Sequence, residues 1–155
     1  MGRPVVGEDL RLHAWPLALG PEEVRLAASL VGRRLSSIEY EADGDIESAY
    51  LRFGDQVIAV AAVDYGASSG PAWPWRLALL EAPEPLPPTD TKLNDLGRIE
   101  IVEFYADEAD VERAIALRLV DGREVLLDSA GGDYVRASLE RPEELVRWRR
   151  TRLYA

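Results

Sequence analysis

Two stretches of the chain, about 26–84 and about 93–143, repeat the same short motifs in the same order. The matched pairs are GRRL (32–35) with GRI (97–99), IEY (38–40) with VEF (102–104), AD (42–43) with AD (106–107), ESA (47–49) with ERA (112–114), LRF (51–53) with LRL (117–119), VI (57–58) with VL (125–126) and LEAPE (80–84) with LERPE (139–143). Each copy alone is too small to bury a comfortable core, so the copies are expected to pack together. The sequence therefore predicts one domain, 1–155, built from two related units.

The pattern within each copy is that of β-strands joined by tight turns. Leu51 and Phe53 alternate with Arg52, which gives one apolar and one polar face, and the matching residues of the second copy do the same. The pairs Gly54–Asp55 and Asp121–Gly122 predict hairpin turns, because glycine accepts the positive φ that such turns need. The fourth strand of each copy is predicted at 75–80 and 134–139.

The first strand of each copy breaks the alternation. Leu35 and Ile38 lie three residues apart, as do Ile99 and Val102, so a regular strand would place each pair on opposite faces. A β-bulge in each first strand would return both apolar residues to one face. A bulge is therefore predicted in both copies.

Helices are predicted before and after the strands. Pro21 stands at a first helical position and is followed by acidic residues, which suits the helix dipole. Its apolar stripe at helical spacing consists of Val24, Ala27, Ala28 and Val31. A second helix, about 142–153, starts in the same way, and Arg149 and Arg150 lie near its C-terminal end, where positive charge is favourable.

The predicted fold is mainly β (α+β). It has two four-stranded antiparallel units related by a pseudo-twofold axis and packed as a barrel or a sandwich, with the helices outside. Short connections favour antiparallel neighbours. A proline-rich segment, about 82–95, is predicted to be a stiff, extended linker between the copies. The sequence leaves the choice between barrel and sandwich open.

Charge and composition narrow the classes of function. The formal net charge is −10, which disfavours non-specific binding to nucleic acid and favours a basic protein partner. The chain has no cysteine, so disulfides, thiolate metal sites and a cysteine nucleophile are excluded. No signal-peptide or membrane-spanning segment is evident, which predicts a cytoplasmic protein. Lys92 is the only lysine among 18 basic residues, which indicates a GC-rich, bacterial genome.

The most unusual segment is the loop at 68–75, where Trp73 and Trp75 flank a proline. Its counterpart at 129–134 ends in Tyr134. Aromatic residues on glycine-containing loops are common at binding surfaces. Arg76 and Arg136 follow these aromatics and would suit an anionic group. These five residues are the predicted partner- or ligand-binding residues, with capping of the core as the structural alternative.

Acidic residues cluster in the first turn of each copy. They are Glu41, Asp43, Asp45 and Glu47 in the first and Asp107, Glu108, Asp110 and Glu112 in the second. Neither cluster has the glycine and terminal glutamate of an EF-hand loop. A solvated hairpin turn is therefore predicted at both places in preference to a cation site.

Two glutamates, Glu39 and Glu103, occupy equivalent positions of the two copies. A pseudo-twofold axis would be able to bring them together as an acid–base pair, whereas the alternative places them on the polar faces of their strands. The single histidine, His13, has no accompanying motif. The basic run at 147–152 resembles a patch for nucleic acid or an acidic membrane surface, but its place at the end of the second helix favours a structural role. No motif for a catalytic residue, a metal or a cofactor is present.

Three functions follow from these features. The first is a non-enzymatic protein-interaction module, similar in kind to immunity or adaptor proteins, that binds a basic partner. The second is a small-molecule-binding β domain with its pocket between the two copies. The third is a hydrolase that uses Glu39 and Glu103. A homodimer formed through an exposed strand edge is a further possibility.

Overall fold

A computed structural model describes residues 21–42, 48–64, 75–107, 111–129, 134–141, 143 and 147–155. In these residues the chain forms one α-helix and nine β-strands. The elements in chain order are α1 (Pro21–Leu30), β1 (Arg34–Glu41), β2 (Ser48–Phe53), β3 (Gln56–Asp64), β4 (Trp75–Glu81), β5 (Thr89–Ala106), β6 (Glu112–Leu119), β7 (Glu124–Asp128), β8 (Arg136–Ser138) and β9 (Arg149–Tyr154). Within this part of the chain, no helix has the length and apolarity that crossing a membrane requires.

The strands form one antiparallel sheet in the order β4-β3-β2-β1-β5-β6-β7-β8, and β9 pairs with β5. Strand β5 is shared, because its residues 89–98 pair with β1 and its residues 99–106 pair with β6 and β9. The prediction of a mainly β, antiparallel fold is confirmed. The extended linker is shorter than predicted, since Thr89 already begins β5 and only 82–88 join β4 to it.

The sheet curls on itself without closing in the described residues, so a closed barrel is not formed. Strand β4 lies against β6 although four strands separate them in the sheet order. Side chains of both halves, among them Leu51 and Leu77 from the first and Phe104 and Leu117 from the second, belong to one buried cluster. The two halves therefore share one main apolar core, whose burial is the main stabilising contribution.

Both predicted hairpin turns are confirmed. Phe53 pairs with Gln56, which leaves Gly54 and the following aspartate as a two-residue loop with φ of 69° at the glycine. In the second turn the backbone N–H of Leu119 donates to a carbonyl four residues later, and Gly122 has φ of 97°. Glycine is suited to both positions because a Cβ disfavours this left-handed conformation.

The β-bulge predicted in the second copy is present. Ile99 pairs with Leu119 and Ile101 pairs with Arg118, so Glu100 has no partner in β6. Because of this extra residue, Ile99 and Val102 are both fully buried.

The irregularity of the first copy lies on the partner strand. Leu35 pairs with Gly97 and Ser37 with Asn94, so β5 contributes one more residue than β1 over this interval. Asp95 has φ of 53° at this point. Leu35 and Ile38 are nevertheless both buried. The extra residue therefore lies in β5, and not in β1 as predicted.

The predicted C-terminal helix, about 142–153, is wrong over its last part, because Arg149–Tyr154 forms strand β9. This strand pairs with β5, where Tyr154 lies opposite Val102. The Tyr154 ring also meets Phe104 edge to face, with ring centroids 6.2 Å apart. Long-range pairing and packing therefore override the local helical pattern.

Helix α1 begins at Pro21, but it buries a different face from the predicted stripe. Its buried residues are Glu23, Ala27 and Leu30, whereas Val24 and Ala28 are exposed. We attribute this difference in the buried face to Glu23, whose carboxylate accepts a hydrogen bond from the backbone N–H of Leu79 at 3.0 Å. The helix thereby satisfies a donor on strand β4, which ends the sheet order.

Candidate functional site

Part of the predicted aromatic site lies outside the described residues, and so does His13. Trp73 and the side chain of Trp75 belong to this group, although the backbone of Trp75 begins β4 opposite Asp64. Tyr134 is half-buried and precedes β8. A common binding surface for these aromatics stays a prediction.

The two predicted anion-binding arginines are both engaged with internal carboxylates. Arg76 Nη2 lies 2.5 Å from Glu23 Oε1, and the Arg76 side chain is mostly buried. Arg136 binds Asp128 through two hydrogen bonds, Nη2–Oδ1 at 2.9 Å and Nε–Oδ2 at 3.2 Å. An anionic ligand would have to compete with these carboxylates for either guanidinium.

Glu39 on β1 is buried, and its carboxylate accepts hydrogen bonds from three side chains. Arg52 binds it through two hydrogen bonds, Nε–Oε2 at 2.8 Å and Nη2–Oε1 at 3.0 Å. The hydroxyls of Ser37 and Thr89 donate to the same carboxylate at 2.7 and 2.5 Å. The hydrogen bonds from Arg52, followed by those of the two hydroxyls, outweigh the effect of burial and lower the pKa of Glu39 to about 2.

Glu103 on β5 is also buried, but three guanidinium groups surround it. Arg150 Nη1 lies 3.0 Å from Oε2, whereas Arg118 and Arg141 lie 3.6 and 3.8 Å from Oε1. The hydroxyl of Tyr105 donates to Oε1 at 3.2 Å. We call Arg118, Arg141 and Arg150 around Glu103 the arginine cluster.

Glu39 and Glu103 are not brought together. Glu39 pairs with Thr91 on β5, and Glu103 lies twelve residues further along the same strand. At about 3.3 Å per residue, these residues span roughly 40 Å of extended chain. The two carboxylates also have different hydrogen-bond partners. No described residue bonds to both carboxylates, so their contacts give no support to an acid–base pair of the glycosidase type.

Glu112 departs from the prediction of a solvated acidic turn, because it is 4% exposed. Its Oε1 has no hydrogen-bond partner among the described residues. Burial is the main cause that raises its pKa to about 7. Arg76 and Arg152 act in the opposite direction, and Glu23 adds to the rise. Glu112 thus stays partly protonated near neutral pH.

Of the remaining acids of the second turn, Asp107 lies within the described residues. Asp107 accepts a hydrogen bond from Arg113 Nε at 2.8 Å and is half-buried. Glu108 and Asp110, like Asp43, Asp45 and Glu47 of the first turn, lie outside the described residues. Across the part of the chain that the structure describes, no three His, Cys, Asp or Glu side chains are grouped to hold a metal ion.

Protein-family models, curated proteins and solved structures gave no match to this sequence or fold. The geometry of the chain's own residues must therefore carry any functional proposal. The arginine cluster and Glu112 are the two features that the sequence did not indicate. The repeated LRF and LRL motifs contained a signal for Arg118, since its equivalent, Arg52, binds the equivalent glutamate.

Proposed function

We propose that the chain is a non-enzymatic protein-interaction module, of the immunity or adaptor kind, that binds a basic protein partner. The observation behind this proposal is how the charges are distributed. Nine arginines have a carboxylate within 4.0 Å: Arg25, Arg52, Arg76, Arg113, Arg118, Arg123, Arg136, Arg141 and Arg150. Much of the positive charge is therefore offset within the molecule.

Among the exposed described residues outside these ion pairs, acids outnumber bases, since at most five basic side chains, Arg34, Lys92, Arg98, Arg147 and Arg149, stand against eight carboxylates. Eight exposed carboxylates form no ion pair with any described basic residue: Asp55, Glu81, Glu84, Asp90, Asp95, Glu100, Glu140 and Glu143. Their field would attract a basic protein over a distance comparable to the Debye length, about 8 Å at physiological salt. The same field would repel nucleic acid. A cytoplasmic location remains part of the proposal.

We further propose that the two halves arose by duplication. The strand registers support this, because Thr89 and Arg150 lie at corresponding places beside β1 and β5, opposite Glu41 and Tyr105. Each contacts the glutamate two residues earlier in its partner strand. Arg52 and Arg118 approach the same glutamates from the next strand. Equivalent contacts in the same register are expected if one unit gave rise to both.

The alternative is a small-molecule site between the halves. It has weaker support, because the two arginines predicted to hold an anionic ligand, Arg76 and Arg136, already bind Glu23 and Asp128. A hydrolase based on Glu39 and Glu103 has weaker support still, because the two carboxylates share no hydrogen-bond partner. Neither alternative explains the outward excess of acid.

The test compares two substitutions of exposed aspartates. Asp90→Asn/Asp95→Asn removes unpaired charge from one exposed strand, whereas Asp121→Asn removes a charge that Arg123 already neutralises at 2.8 Å. Tagged proteins are used to capture partners from lysate of the native host at low and high salt. We expect a stoichiometric basic protein that is lost at high salt, weakened by the double substitution and retained by Asp121→Asn. Capture of an acidic protein, or equal effects of both variants, would contradict the proposal.

A further inference from the structure

We infer that the arginine cluster is a binding site for a carboxylate group, with Arg118 and Arg150 as its donors. This inference is independent of the proposed function, because it concerns a local excess of positive charge on an otherwise acidic protein. The site lies on the outer side of Glu103, where strands β5, β6 and β9 meet.

Arg118 is the donor with most spare capacity. Its guanidinium lies 3.6 Å from Glu103 Oε1, beyond hydrogen-bond distance, and makes no hydrogen bond to a described residue. The side chain is 42% exposed. A guanidinium carries five N–H donors in a planar fork that matches the two oxygens of a carboxylate. Arg118 therefore has guanidinium donors without a hydrogen-bond partner among the described residues, on a side chain that is partly exposed and ion-paired with Glu103.

The other two arginines complete the site. Arg150 gives one hydrogen bond to Glu103 and is 53% exposed, so further donors remain for a ligand. Arg141 is fixed by two hydrogen bonds to Glu124, at 2.5 and 2.8 Å, and its guanidinium lies 5.3 Å from the centre of the Tyr105 ring. Arg141 thus contributes positive charge from a fixed position, since its Nε and Nη2 donate to Glu124 and Tyr105.

The charge balance favours a singly charged ligand. Three guanidinium groups face two carboxylates, Glu103 and Glu124, which leaves one positive charge. One carboxylate group would neutralise it.

The first half of the molecule shows what the site looks like without this excess. There Glu39 has one arginine, Arg52, whose fork is already occupied, and the position of Arg150 is taken by Thr89. Charge is balanced there, and Arg52 already forms a two-hydrogen-bond pair with Glu39. The same buried glutamate is therefore a closed structural site in one half and an open, positively charged site in the other.

The test follows arginine Nε–Hε signals by NMR while acetate replaces chloride at constant ionic strength. We expect saturable shifts for Arg118 and Arg150 and none for Arg52, which serves as the internal control. Arg118→Gln and Arg150→Thr assign the signals, and the second substitution copies the threonine of the first half. Loss of one charge-assisted donor should weaken acetate binding roughly tenfold in Arg150→Thr.

Each outcome decides the inference. Arg118→Lys keeps the charge but loses the fork, so weaker acetate binding in this variant supports bidentate recognition. Unchanged backbone spectra and thermal unfolding show that each variant is folded. The inference is overturned if Arg118 does not respond to acetate, if Arg150→Thr binds as tightly as the parent protein, or if only inorganic phosphate gives saturable shifts.

Discussion

Replacing Glu112 with glutamine should stabilise the protein at pH 8 and change it little near pH 5. The carboxyl is 4% exposed, and its Oε1 has no partner in the described part of the chain. Burial raises its pKa from the ordinary 4.5 to about 7. At about 1.4 kcal/mol per pH unit, ionising it in the folded protein costs roughly 3 kcal/mol more than in the unfolded chain. Glutamine keeps the size of the side chain and cannot ionise.

The direction with pH follows from proton linkage. The folded protein holds the proton of Glu112 more tightly than the unfolded chain does, so its contribution to stability is fully present below pH 4.5. This contribution is lost as pH rises through about 7. Between about pH 5 and pH 8 the parent protein should lose roughly 2 to 3 kcal/mol from this group alone. Glu112→Gln should remove that loss.

Urea unfolding at about pH 5 and about pH 8, followed by circular dichroism, measures the difference. Glu100→Gln is the matched control, because Glu100 is an exposed glutamate on the β5 bulge and its removal should leave the pH dependence unchanged. The reasoning is refuted if the parent protein and Glu112→Gln lose the same free energy of unfolding between the two pH values. Arg76, Arg152 and Glu23 are the charged groups that set the balance there.

Two further substitutions test contacts elsewhere in the sheet. Glu39→Gln should destabilise the protein by roughly 2 kcal/mol at pH 7, because it weakens the charge-assisted bonds from Arg52. The pKa of Glu39 is lowered to about 2, so this difference should fade as pH falls from 4.5 toward 2, and an equal difference in urea unfolding at pH 7 and pH 3 would contradict it. Tyr40→Phe removes the hydroxyl that accepts the Ala137 N–H at 2.8 Å, and should cost about 1 kcal/mol. Hydrogen exchange at Ala137 should then quicken, and unchanged protection would show that another acceptor serves this amide.

Local patterns were sufficient for the elements whose geometry is local. The alternation around Leu51 and the glycines at 54 and 122 predicted hairpins that the structure contains. The spacing of Ile99 and Val102 predicted the bulge at Glu100. The hairpins depend on contacts within a few residues, and the bulge follows from the spacing of two neighbouring apolar residues that must both be buried. A strand pattern or a turn glycine therefore carries the information needed.

Contacts between distant segments were not accessible in the same way. Arg149–Tyr154 carries a basic run that is typical of a helix end, yet it forms a strand because β5 offers an edge for pairing. The same strand brings Arg150 to Glu103, 47 residues away, and so creates the arginine cluster. The pKa of Glu112 depends in turn on charged residues of α1, β4 and β9, which are Glu23, Arg76 and Arg152. Neither candidate site has a local signature.

The strand edges bear on whether two copies of the chain would pair. The edge of β4 is covered at Leu79 by Glu23, and that of β8 at Ala137 by Tyr40, so these edges offer fewer free backbone donors. Strand β9 pairs with β5 alone among the described residues, but it carries Arg149, Arg150 and Arg152. Antiparallel pairing of two β9 strands would bring like charges together, which is destabilising. A homodimer through β9 is therefore disfavoured, whereas an acidic group from a different molecule would relieve the same repulsion.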